Sequence, residues 1–299
     1  MGACSKAHTP DLSGSIIFVH GLNPVDHAHH ASQTWTHPNG VFWPRDLLPL
    51  HLPHARVLLY TYNANVAFNS SAATLSDHAE SLLDRYRALS QPRCAVPILF
   101  VAHSLGGLIV KKARPDALIR ADTHRVTYGQ IRESTYGLVF SGTPHRGGHG
   151  VGPGKIAARI VRAFTGASNN DILRHLKRDS IFSQEVDDHF RAQLEDYKVV
   201  SFFETKPMQY RRYGLTVGTI IVPRSSATLG LASHQESQLE LNADHSSMCK
   251  FAADGLSFIP VSYHLKRLAA EALLSHPARH KCTTSEHRVI SPVPVPVSF

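Results

Sequence analysis

The chain has 299 residues, 42% of them apolar and 18% charged, with a formal net charge of +8. That length and balance are ordinary for a globular protein and allow one large α/β domain or two small ones. The basic residues are scattered, with none of the basic–aromatic motifs of a DNA or RNA module, so no nucleic-acid partner is expected.

No apolar run reaches the ~18 residues of a membrane span. Residues 1–13 read as a flexible N-terminus without the h-region of a secretory signal. Met1-Gly2 with Cys4 nearby suggests dual acylation, but Lys6 stands where Ser or Thr is required. The four cysteines, Cys4, Cys94, Cys249 and Cys282, lie far apart. They read as reduced thiols of a cytoplasmic protein, not as a disulfide frame or a zinc site. His27, His29 and His30 read as a solvated loop, and no metal or cofactor is expected.

In chain order, Ser15–Val19 is a β-branched apolar run that reads as a buried parallel strand ending at His20-Gly21-Leu22. Residues 23–43 form a long His-rich loop carrying Trp35, Phe42 and Trp43, and such loops are commonly binding loops. A short helix from Arg45 to Leu50 follows, with Pro44 near its first turn. Arg56–Tyr60 is the second strand. A helix from about Ala73 to Leu89 places Leu75, Ala79, Leu82, Leu83, Tyr86 and Leu89 on one face.

The third strand, Ile98–Ala102, runs into His103-Ser104-Leu105-Gly106-Gly107 and then a helix-compatible run. A buried strand, a small-residue turn carrying one Ser and a helix form the nucleophile-elbow pattern. The turn sets Ser104 Oγ clear of the sheet edge, and the helix N-terminus aims N–H groups at the reacting centre. The competing reading is a tight turn with an incidental Ser. Arg114-Pro115 must stop or kink this helix, with a second piece over Asp116–Asp122.

Tyr136–Ser141 is a fourth strand, followed by Gly142-Thr143-Pro144-His145. Residues 147–196 read as a helical cap insertion. Ile156, Ile160, Val161 and Phe164 form one apolar face, and Phe182, Val186, Phe190 and Leu194 form another. These stripes suit either core packing or a lid that lines an acyl pocket or touches a membrane surface. Tyr197–Phe203 is a fifth strand with Glu204 at its end, Gly218–Val222 a sixth, and Val261–Leu274 the last amphipathic helix. Residues 276–299, ending in a Pro-Val alternation, read as a disordered tail.

The pattern as a whole is an α/β-hydrolase fold: a mostly parallel sheet of about six strands with helices on both faces, over residues 14–275. In that fold the nucleophile, acid and base follow one another along the chain at strand C-termini. Ser104, Glu204 and His245 occupy those slots. Ser104 needs a base to take its proton, the imidazole of His245 can serve as that base, and a buried carboxylate must fix the imidazole tautomer. The N–H groups of Leu22 and Leu105 are the expected oxyanion donors. Asp244 is a rival acid, with Asp187, Asp188 and Asp196 behind it. His145 is a rival base that precedes the acid, against the usual order, and His103 is expected to pack under the elbow.

Several longer runs carry a family likeness. They are Phe18-Val19-His20-Gly21-Leu22-Asn23-Pro24, Trp35-Thr36-His37-Pro38-Asn39-Gly40, Trp43-Pro44-Arg45-Asp46-Leu47-Leu48, Tyr62-Asn63-Ala64-Asn65, Val101–Lys111, Gly142–Gly147 and Leu241-Asn242-Ala243-Asp244-His245. Over about residues 14–251 the chain resembles the serine active site-containing (SERAC-like, DUF676-type) lipase-like hydrolases, fungal type. The resemblance implies a serine esterase acting on lipid or other hydrophobic esters. It also implies roles in glycerophospholipid remodelling and association with mitochondrial or endoplasmic-reticulum membranes. Two other readings stay open: an immune-receptor-associated signalling or interaction module with weak or no catalysis, and a non-lipid hydrolase of secondary metabolites.

Overall fold

The computed structural model describes residues 14–22, 30–62, 64, 75–89, 96–113, 128–145, 153–165, 190–191, 194–212, 215–275 and 297–298. The five expected apolar runs become parallel strands: β1 Ser15–Val19, β2 Arg56–Tyr60, β3 Ile98–His103, β4 Thr135–Ser141 and β5 Lys198–Glu204. Every residue of β1 and β3 is buried, as continuous apolar strands require when both sheet faces are covered.

The sixth strand lies elsewhere than the sequence suggests. Instead of a sheet strand over Gly218–Val222, Met208–Arg212 (β6) and Leu215–Thr219 (β7) form a separate antiparallel hairpin. The sixth parallel strand is Glu236–Leu241 (β8), which pairs with β5 at one edge. Its sequence, Glu-Ser-Gln-Leu-Glu-Leu, is polar because an edge strand has only one neighbour and is partly exposed. Of the tail read as disordered, only Val297–Ser298 is among the described residues. It forms a short strand, β9, alongside β2, giving the order β8-β5-β4-β3-β1-β2-β9.

The helices are α1 His30–Gln33, α2 Trp43–Asp46, α3 Leu48–His51, α4 Leu75–Leu89, α5 over 106–113, α6 Tyr128–Ser134, α7 Pro153–Thr165, α8 Arg224–Ala227 and α9 Phe258–Ser275. Strand alternation divides the core into two layers. Ile17, Val19, Phe100 and Ala102 pack with Leu82 and Tyr86 of α4 and Ile109 of α5. Ile16, Phe18, Leu99 and Val101 pack with Trp35, Trp43 and Leu265 of α9. Phe18 meets both tryptophans edge-on, at 5.1 Å each.

Of the 147–196 insertion, α7 and a 3-10 turn at Leu194–Asp196 are the described elements. Ile156, Ile160 and Val161 of α7 are buried in the first core layer, with Phe164 packed against it. The stripe residues Phe182 and Val186, Arg114-Pro115 and the piece over 116–122 lie outside the described residues. No described helix is long and apolar enough to cross a membrane.

The chain leaves β1 for β2 on one side and then crosses to β3 on the other. The crevice at the C-terminal ends of β1 and β3 is therefore the switch point where open α/β sheets place ligands.

Candidate active site

At that switch point β3 ends in His103, and Ser104 turns the chain with φ of 52°, the one non-glycine residue of positive φ among those described. The strain is local, and the Ser104 N–H still donates to Ser141 O at 2.9 Å. Helix α5 then starts hard against the end of β1. A Cβ on Gly106 would lie 2.2 Å from His20 O, so no other residue fits without moving the backbone.

Three side chains meet above this turn. Ser104 Oγ is 2.9 Å from His245 Nε2, and His245 Nδ1 is 2.6 Å from Glu204 Oε2. Glu204 closes β5, while His245 sits in the turn after β8. The carboxylate can only accept, so Nδ1 carries the proton and Nε2 is left to accept the serine O–H. Ser104, Glu204 and His245 are all buried, where a lone carboxylate is costly. Glu204 Oε1 offsets that cost by accepting the backbone N–H groups of Ile221 and, at 3.1 Å, Val222.

The His245 turn is braced from several sides. His103 does not simply pack under the elbow: its Nε2–H donates to His245 O at 3.0 Å. Burial, then the adjacent His245, hold its pKa well below the ordinary imidazole value, so it stays a neutral donor. Trp43 Nε1–H donates to Cys249 O at 2.9 Å, and burial pushes the Cys249 thiol up to about 12. Gly142 passes beneath with φ of 57°, where a Cβ would lie 2.9 Å from His245 Cε1.

The rival residues are placed differently. Asp244 Oδ1 accepts the N–H and O–H groups of both Ser246 and Ser247. Burial alone raises the Asp244 pKa, but these hydrogen bonds leave it below the carboxylate range. Asp196 closes the 3-10 turn, and Asp187 and Asp188 lie outside the described residues. His145 is buried with its ring edge-on to Phe140 at 4.6 Å.

Leu22 and Leu105 are buried, and neither backbone N–H has an acceptor among the described residues. The Gly21–Leu22 peptide is clamped from behind. His20 Nδ1–H donates to Gly21 O at 2.8 Å, and Tyr62 N–H approaches His20 Nε2 at 3.5 Å. Tyr62 O–H donates to His20 O at 2.9 Å and lies 3.4 Å from Gly21 O. The two rings stack at 4.3 Å. Burial, then the charge of His30, lower the His20 pKa to about 3, so its ring is neutral. In a trans peptide the C=O and N–H point opposite ways, so a carbonyl fixed toward His20 and Tyr62 turns the Leu22 N–H away from them. A Cβ on Gly21 would lie 3.0 Å from Ser104 Cβ, which puts this peptide beside the serine.

Sequence reasoning gave no role to Tyr62, Trp43 or the N–H groups of Ile221 and Val222. Tyr62 opens the Tyr-Asn-Ala-Asn run and Trp43 opens another quoted motif, so their signal was present without a geometry. The backbone donors carry no side-chain signature. Among the described residues, no cluster of His, Cys, Asp and Glu is arranged to hold a metal ion.

No family model matches the chain. It is 27% identical over 262 residues to Protein SERAC1 of Danio rerio, covering 80% of this chain and 36% of that protein. The Homo sapiens protein of the same name is 22% identical over 262 residues, with the same coverage. The chain thus spans little more than a third of these curated relatives. They are vertebrate, and lend no support to the fungal type.

Among solved structures, a Bacillus licheniformis lipase, BlEst2 in mature form, superposes with a TM-score of 0.50. It is 16% identical and covers 83% of this chain and 91% of its own. A carboxylesterase of the thaumarchaeon Nitrososphaera gargenis also gives 0.50, at 10% identity over 88% and 93%. The chain thus has an α/β-hydrolase fold and is similar in sequence to part of SERAC1.

Proposed function

We propose that the protein is a serine hydrolase of carboxylic esters, with Ser104 as nucleophile, His245 as general base and acid, and Glu204 as the group that orients His245. The observation that carries this is the unbroken hydrogen-bonded chain from Ser104 Oγ through His245 to Glu204.

As Ser104 Oγ attacks the acyl carbon, its proton passes to His245 Nε2, and Glu204 stabilises the imidazolium. The tetrahedral oxyanion forms between the N–H groups of Leu22 and Leu105, each held ready for an acceptor that only the reaction supplies. His245 then protonates the departing alkoxide, leaving an acyl ester on Ser104. Water attacks that ester, gives its proton to His245 and releases the acid and the free serine.

Lipid or other hydrophobic esters are the substrate class this reading favours, supported by the likeness to a lipase and by Phe164, whose ring lies 6.0 Å from His245. Contact with a membrane surface draws no support from α7, because its apolar residues are committed to the core. A module that only binds has no need of three converging side chains.

The test is Ser104→Ala. Ester turnover should fall on the order of a millionfold, and covalent labelling by a fluorophosphonate should vanish. Turnover and labelling that survive the substitution would sink the reading.

A further inference from the structure

A recess of about 90 Å³ opens beside the candidate site, with Leu22 and Ser246 on its wall. An ester presented to Ser104 must lie against it, because Leu22 carries one oxyanion donor and Ser246 adjoins His245. The polar lining is His30, Gln33, Thr34, His103, Ser246 and Lys250, with no carboxylate among the described residues.

Lys250 is half-buried and makes no ion pair among the described residues. Among the described residues neither Asp254, four positions on, nor Asp244, six positions back, pairs with it, and Asp244 has its Oδ1 engaged by Ser246 and Ser247. The ammonium also acts on its surroundings: burial and then His245 lower the His103 pKa and the Lys250 charge adds to that, whereas at the Cys249 thiol the same charge works against the burial that raises its pKa. Leu22 and Phe164 give the recess an apolar wall, and Thr34 Oγ1, Ser246 Oγ and His103 Nε2 already donate to His30 O, Asp244 Oδ1 and His245 O. The Lys250 ammonium is the charge left to be met, and a half-buried charge is costly without a partner. An anionic oxygen group meets that charge, and a lysine reads such a group as a compact point charge.

Resting on the serine-hydrolase reading, we infer that this recess takes an oxyanion-bearing part of the substrate, a carboxylate or phosphate close to the scissile ester, and that Lys250 reads its charge. The anion belongs to either the acyl or the alcohol half, and the experiment separates them.

The acyl arm compares p-nitrophenyl hemiglutarate with neutral p-nitrophenyl valerate. The alcohol arm compares butyryl glycerol phosphate with butyryl glycerol. Each ester is scored by kcat/KM, or by how far it slows fluorophosphonate labelling of Ser104. The expected result is an anionic-over-neutral preference on one arm. Lys250→Met should cut that ratio roughly 10- to 100-fold, and Lys250→Glu should invert it toward a choline ester. Rising salt should erode the preference in the native chain. Because the readout is a ratio within one variant, a general loss of folded protein cancels.

Equal rates on both arms, or a preference that survives Lys250→Met, overturn the inference while Ser104 labelling leaves the hydrolase reading standing. No labelling and no turnover of any ester overturn the hydrolase reading itself, and this one with it.

Discussion

Two carboxylates, Glu204 and Glu236, are both almost wholly buried on neighbouring strands. Glu204 ends β5 at the C-terminal edge of the sheet, whereas Glu236 begins β8 at the opposite edge. Glu236 Oε1 accepts Ser201 Oγ at 2.6 Å and Leu229 N at 2.8 Å. Its Oε2 accepts Leu231 N at 3.0 Å and Gln238 Nε2 at 2.9 Å. Every one of those donors is neutral and keeps its proton, so Glu236 is a staple that fastens the 229–231 loop to the strand. Glu204 makes a similar pair of backbone contacts and then spends its second oxygen on an imidazole that can gain a proton. Burial and full hydrogen bonding therefore do not separate the two. The last partner and the sheet edge do.

The sharpest way to break this contrast is the isosteric swap at each position. Glu204→Gln should lower kcat about 10⁴-fold, because an amide no longer fixes the His245 tautomer or steadies its charge, while the melting temperature changes little. Esterase kinetics and a melt on the same sample check both halves. Glu236→Gln should do the reverse: its NH₂ would face two of four donors, costing roughly 1–3 kcal/mol of stability in a denaturant titration, with turnover per folded molecule kept within about twofold.

Buried imidazoles extend the comparison from acids to bases. His20 has a pKa of about 3 against its ordinary 6.5, so the unfolded chain binds a proton there that the folded chain refuses. This stability is complete above pH 6.5 and is lost as pH falls from 6.5 toward 3, by up to about 1.4 kcal/mol per pH unit. His20→Asn should flatten that part of a stability–pH profile. The smallest effect is expected for Tyr62→Phe, which removes the hydroxyl behind the Gly21–Leu22 peptide, the proposed oxyanion donor. Here kcat should drop severalfold to about tenfold with KM nearly unchanged, since the lost contact orients a group used only in the transition state.

Much of the fold was legible because parallel strands write themselves as unbroken apolar runs, and β1 to β5 are such runs. The elbow was legible because a serine between a buried strand and a glycine pair has few other uses. Edge strand β8 was not, since Glu236, Gln238 and Glu240 hide the alternation. The mistaken sixth strand is instructive. Ile221 and Val222 are apolar and fully buried, as a sheet strand would be, yet their N–H groups go to a side chain, Glu204, and not to a neighbouring strand. Hydrophobicity reported their burial correctly and said nothing of where their backbone hydrogen bonds ended. The braces from His103 and Trp43 were equally hidden, because each joins segments more than 140 residues apart.

That arrangement at Ile221 and Val222 bears on how the protein can drift. A support made of main-chain N–H groups belongs to no particular side chain, so substitutions at 221 and 222 that still fill the space leave the carboxylate held. Only proline abolishes a donor outright. The proposed acid is thereby insulated from most mutation in the segment that anchors it. Relatives can diverge there freely, and a comparison of sequences would pass over two positions on which Glu204 depends.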